Sequence, residues 1–180
     1  MQRLLTISYP VLPAESAALV DTFRRRHDVK RQAMVQAHFT IAFGCTAVGL
    51  DEYTNHVAEV AKTSRPVAFS CKYAMLGADD ENDTAYVFLV PDQGNSAIAQ
   101  LHDRLYTGLL QPYLRLDLPY VPHITIAALS SRTEAKSLCD ELNHQGISIE
   151  GFLNELSVGY VEAGKFNNLS KHSLGEQPGG

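Results

Sequence analysis

Two of the seven histidines are followed, two residues on, by threonine, and these two lie in near-copies of one another. His38-Phe39-Thr40-Ile41-Ala42 and His123-Ile124-Thr125-Ile126-Ala127 share four of five residues, and each falls at a comparable point in its half of the chain. In an extended segment side chains alternate between faces, so His38 and Thr40 share one face while Phe39 and Ile41 enter the core behind it. The same holds for His123 and Thr125. An unpaired buried hydroxyl or imidazole costs about 1–3 kcal/mol, so one such pair reads as ordinary packing with hydrogen bonds to a neighbouring strand, whereas a duplicated pair asks for a reason. Two imidazoles facing one cleft can divide proton transfer at neutral pH, because both protonation states of histidine are accessible there. One takes a proton from the attacking oxygen and the other gives one to the leaving oxygen, while two hydroxyls bind the oxygens on which charge accumulates. This set suits in-line attack at phosphorus without a metal, as in the opening of a cyclic phosphodiester.

The elements that must hold these residues follow from periodicity. Strands are expected over residues 4–11, 36–44, 67–76, 84–90 and 121–129, with final strands around 156–161 and 166–174. Helices are expected to open at Pro13, with Leu19, Val20 and Phe23 on one face, and over 51–64, 95–110 and 131–144. Ser131 and Glu134 have capping-box spacing, and Gly146 closes that helix. The polar stretch 77–83 reads as a hairpin loop. The resulting order, with each motif strand followed directly by a helix, implies two similar halves in an α+β fold with mostly antiparallel sheets, and their meeting surface is the expected cleft. Residues 1–174 are expected to form a single domain of two lobes, one H-x-T motif in each, and 175–180, with Gly and Pro, a flexible tail.

Composition narrows the chemistry. In 180 residues, 15 Lys plus Arg against 20 Asp plus Glu give a net charge of −5, the wrong sign for gripping long nucleic acid through many phosphates. A small or terminal phosphate remains compatible. Arg24, Arg25, Arg26, Lys30 and Arg31 hold a third of the positive charge in eight residues. Such a run reads first as a solvated helix end and second as an anion-steering patch. Cys45, Cys71 and Cys139 are odd in number and have no metal-ligand spacing, so they read as buried reduced thiols rather than a disulfide frame or zinc site. No apolar run approaches the length of a membrane span, and the first ten residues read as a strand rather than a signal peptide, which implies a cytoplasmic protein without membrane contact.

With both motifs in view, the chain resembles the 2H phosphoesterase superfamily, named for its twin H-x-T/S motifs and including the bacterial 2′-5′ RNA ligase-like proteins and cyclic nucleotide phosphodiesterases. Pro122 before His123 matches the common P-H-x-T form, whereas Ala37 stands where many relatives have Pro. The resemblance implies two pseudo-symmetric lobes with outer helices around an active-site cleft, a catalytic pair His38 and His123, and phosphate ligands Thr40 and Thr125. It implies no cofactor and no metal, and as substrate the 2′,3′-cyclic phosphate or 2′-5′ phosphodiester of a nucleotide or RNA end, handled by a monomer. Tyr120, Arg31 and Arg132 lie near the motifs and read equally as contributors or as packing. The alternative is a binding module that holds a nucleotide or RNA end in the same cleft without turnover.

Overall fold

The computed structural model describes residues 2–78 and 83–175. Its chain runs through two copies of the order β-α-β-α-β-β, followed by one additional strand. In the first copy β1 (Leu4–Ser8), α1 (Ala14–His27), β2 (Phe39–Cys45), α3 (Leu50–Lys62), β3 (Val67–Cys71) and β4 (Tyr73–Ala78) succeed one another, with the short α2 (Val29–Met34) inserted before β2. The second copy comprises β5 (Ala85–Val90), α4 (Asn95–Leu105), β6 (Ile124–Leu129), α5 (Arg132–Gln145), β7 (Ile149–Leu153) and β8 (Glu155–Glu162), and β9 (Lys165–Ser173) ends the fold. A four-stranded sheet in the order β2-β1-β8-β9 forms the first lobe and a three-stranded sheet β4-β5-β6 the second. β3 pairs with β7, so the strands that follow α3 and α5 meet. Every pairing between named strands is antiparallel. The fold is α+β, two pseudo-symmetric lobes with helices outside.

The helices exchange lobes. α1, which lies between β1 and β2 in sequence, packs on β6, and α4, between β5 and β6, packs on β2. α5 covers β4, β5 and β6, and α3 covers β1, β8 and β9. Apolar stripes at helical spacing explain the docking: Tyr53, Val57, Val60 and Ala61 of α3 are buried, as are Ile98, Leu101 and Leu105 of α4 and Ala135 and Leu142 of α5. Ser131 Oγ accepts the Glu134 N–H, and Gly146 ends α5 in the left-handed region at φ 71°. The β8–β9 hairpin turns through Ala163 and Gly164 at φ 49° and 72°, the positive pair that matches strand twist in a two-residue turn. On β4, the edge strand of the second lobe, Asn143 of α5 takes the Ala74 N–H on its Oδ1 at 2.6 Å and donates its Nδ2–H to Ala74 O at 2.9 Å.

Several boundaries differ from expectation. The run 67–76 is two strands, β3 and β4, divided at Lys72 and paired in different sheets. Residues after α5 form three strands rather than two, and α2 was not anticipated. The helix expected to reach residue 110 stops at Leu105, and a 3₁₀ turn, Gly108–Tyr113, carries the apolar pattern onward. Leu19 is exposed whereas Val20 is buried. Arg24, inside the run read as solvated, is 3% exposed, because Asp28 offsets its charge. Part of the expected hairpin loop, 79–82, and most of the expected tail, 176–180, lie outside the described residues; Gly175 still donates its N–H to Ala61 O. The three cysteines are buried and free. No described helix is long and apolar enough to cross a membrane.

Candidate active site

Both motif histidines stand one residue ahead of their strands, β2 and β6, rather than inside them. Phe39, Ile41, Ile124 and Ile126 are fully buried, while His38, Thr40, His123 and Thr125 are half-buried on the opposite face. The alternation thus puts the four polar side chains where the repeat requires.

The two imidazoles are held alike. His38 donates its Nδ1–H to Gln36 O at 2.8 Å, and His123 donates its Nδ1–H to Val121 O at 2.6 Å, the carbonyl two residues earlier in each case. A carbonyl only accepts, so each bond puts the proton of the neutral ring on Nδ1 and leaves the lone pair on Nε2. Among the described residues neither Nε2 has a protein partner, nor does either threonine Oγ1. Burial pushes the His38 imidazole down to about 4, helped by the nearby charges of Arg24 and His123 and opposed by the bond to Gln36. His123 is lowered by burial as well, against the support of Val121 O. The charge of His123 is among the influences that lower His38, although 85 residues separate the two rings in sequence.

Each motif is also braced by aromatic rings. On the second lobe the Phe88 ring stacks on His123 with centroids 3.8 Å apart and planes at 23°. Phe88 lies across Gly77 on β4, where a methyl would overlap the ring. Tyr86, two residues earlier on β5, stacks on Phe88 at 5.7 Å. On the first lobe, Tyr120 donates its hydroxyl to Thr40 O at 2.9 Å. Its ring lies flat on His102 at 3.7 Å and 6°, and His102 donates its Nδ1–H to Ile41 O at 2.8 Å. Tyr120 leads through Pro122 into His123, so the approach to one motif is tied to the backbone of the other.

The sequence singled out Tyr120 and Arg31 without assigning them: Tyr120 proves to be a packing partner of the first motif, whereas Arg31 bonds to the Tyr86 hydroxyl on β5, outside both motif segments. Arg132, by contrast, is exposed and pairs with exposed Asp83 at 3.5 Å. Phe88, Tyr86 and His102 were missed. The alternation of Tyr86 and Phe88 on one strand face was their only signal, and nothing local distinguished His102 from a core histidine. Among the described residues no group of three or more His, Cys, Asp or Glu is arranged to hold a metal ion.

Comparison with known proteins bears on the whole chain. The sequence profile of the 2′-5′ RNA ligase superfamily matches residues 12–164. No curated protein sequence matches significantly. Among solved structures, Escherichia coli LigT in its apo form is 18% identical, with 97% of this chain and 98% of that chain covered and a TM-score of 0.56. LigT has also been crystallised with 3′-AMP, NADP+, phosphate and ATP. TT0787 of Thermus thermophilus is 17% identical over 96% of this chain and 98% of its own, at a TM-score of 0.61. Usb1 of Kluyveromyces marxianus is 7% identical over 96% and 99%, at 0.55. At these identities the structures establish a shared fold, and the profile match across most of the chain, with an H-x-T motif in each lobe, makes this protein a member of the 2′-5′ RNA ligase superfamily, the 2H phosphoesterases.

Proposed function

We propose that the protein is a metal-independent phosphoesterase that opens the 2′,3′-cyclic phosphate, or cleaves the 2′-5′ phosphodiester, of a nucleotide or RNA end. Superfamily membership supports a phosphoesterase acting on nucleotide or RNA phosphate. The observation that carries the finer reading is the matched pair of imidazoles, each with Nδ1 committed to its own backbone and Nε2 available, each two residues from an available threonine hydroxyl. The ability of LigT to bind 3′-AMP, ATP and phosphate supports a phosphate in the equivalent cleft.

In this mechanism water attacks phosphorus along one axis. The Nε2 lone pair of one imidazole takes its proton as the new P–O bond forms. On the far side the Nε2–H of the other imidazole protonates the ribose oxygen as the old P–O bond breaks, and the product is a phosphomonoester. Thr40 and Thr125 donate to the non-bridging oxygens, where charge grows. The acidic net charge favours a short substrate over long RNA, and the same residues in a monomer suffice.

The test is hydrolysis, in EDTA, of nucleoside 2′,3′-cyclic monophosphates, a 2′-5′ dinucleotide and ADP-ribose 1″,2″-cyclic phosphate. The His38→Ala, His123→Ala double variant is the control. Turnover lost in the variant is the expected result. Binding of these compounds without turnover overturns the reading in favour of a binding module, and rescue by a divalent ion overturns its metal independence.

A further inference from the structure

The basic run at the end of α1 contains two charges that are almost completely buried. Arg24 and Asp28 are each 3% exposed, a costly placement for ions that ordinarily remain in water. Asp28 lies between α1 and α2 and faces two guanidinium groups: Arg24 Nε is 4.0 Å from its Oδ2, and Arg31 Nη1, from α2, is 3.6 Å from its Oδ1. A solvated patch would not be built around an enclosed carboxylate.

From this centre two paths lead out, one to each motif histidine. Arg24 donates from Nη2 to Val35 O at 2.8 Å, and the next carbonyl along the chain, Gln36 O, receives the His38 Nδ1–H. Arg31 donates from Nη2 to the Tyr86 hydroxyl and lies 4.7 Å over the Tyr86 ring; that ring stacks on Phe88, and Phe88 stacks on His123. The first path ends in the first lobe and the second path in the second. α1, which carries Arg24, itself packs across the lobe boundary on β6.

We propose that Arg24, Asp28 and Arg31 form a positioning brace, centred on Asp28, that fixes His38 and His123 relative to one another. The proposal rests on the reading of those histidines as the reacting pair. In-line displacement needs its two proton carriers on opposite sides of one phosphorus, and a misplacement of about 1 Å can cost about 10²-fold in rate. The histidines belong to different lobes, so their separation depends on what joins the lobes. A planar guanidinium has donors enough to face two partners at fixed angles, which an ammonium on a flexible stem does not. Arg24 hydrogen-bonds Val35 O and Arg31 the Tyr86 hydroxyl, and both hold Asp28 by charge alone, at 4.0 and 3.6 Å, without a hydrogen bond to its carboxylate.

The test pairs imidazole ¹⁵N–¹H spectra with kcat and KM on whichever cyclic phosphate of the panel is turned over, for Arg24→Lys, Arg31→Lys and Asp28→Asn. Arg24→Lys is expected to move the His38 signals and leave those of His123 in place. Arg31→Lys does the reverse, and Asp28→Asn moves both. Each lowers kcat by about 10²-fold while KM stays within about twofold, as for loss of geometry rather than of binding. Unmoved signals of both histidines in folded Asp28→Asn overturn the proposal, as does an unchanged kcat. If Asp28→Asn does not fold, the two charge-conserving lysine variants decide it by their opposite pattern on the two rings. If the unmodified protein turns over nothing in the panel, or keeps its rate without His38 and His123, it is the functional reading that falls, and the spectra still decide whether the brace exists.

Discussion

His38 and His123 are both shifted to the acid side of an ordinary imidazole, His38 to about 4 and His123 to below 6.5. Below both pKa values the two rings carry protons and no base is present. Above both pKa values the two rings are neutral and no acid is present. The kcat/KM profile is therefore expected to be a bell with its maximum on the acid side of 6.5, whichever ring accepts and whichever donates, since the two assignments give the same profile. A pH series on a cyclic nucleotide checks this, and a maximum at pH 8 would contradict it. Thr40→Ala and Thr125→Ala are each expected to lower kcat by about 10²-fold, the scale for losing one donor to a developing oxyanion, with far-UV circular dichroism unchanged. The twin motif was legible because a strand displays alternate residues and the two five-residue copies differ at one position. The burial of Arg24 was not, since its compensating carboxylate sits four residues on and reads as one more surface charge.

At the scale of elements, Gly77 on β4 decides whether Phe88 can lie beneath His123. Gly77→Ala puts a methyl into that ring and is expected to lower kcat by about tenfold or more together with Tm, measured by single-turnover kinetics and thermal melts. An unchanged Tm and rate would show that the ring has another place to go. α5 was readable end to end, because Ser131, Glu134 and Gly146 mark its limits and Ala135 and Leu142 its buried side. α3 was readable from its stripe and from the Arg65-Pro66 pair that follows it. The division at Lys72 was hidden because the apolar alternation continues from Val67 to Leu76 while the hydrogen-bond partners change from β7 to β5. Sequence period reports which face is buried and is silent on which strand lies alongside. α2 escaped notice for a related reason: a six-residue helix is too short to display a stripe, and its charges extended the basic run.

Across the whole molecule, the exchange of α1 and α4 means that each sheet is covered in part by a helix from the other half of the chain. Unfolding by urea is accordingly expected to be a single transition, coincident by far-UV circular dichroism and by tyrosine fluorescence, because loss of one lobe strips a helix from the other. Two separated transitions would show the lobes to be independent. The two-fold repeat was visible in the order of elements, but the exchange was not, since nothing in a helix's own sequence says which of two similar sheets it will cover. The repeat is also incomplete: β9 flanks β8 in the first lobe, and β4, the strand equivalent to β8, has no such neighbour among the described residues. At Ala74 the amide of Asn143 satisfies both the N–H and the C=O that another chain would seek. Asn143, joined at the carbonyl by the Cys139 thiol, thus stands in for part of a missing strand and removes at this position the open backbone groups through which an exposed sheet edge pairs with other molecules, the usual route to aggregation.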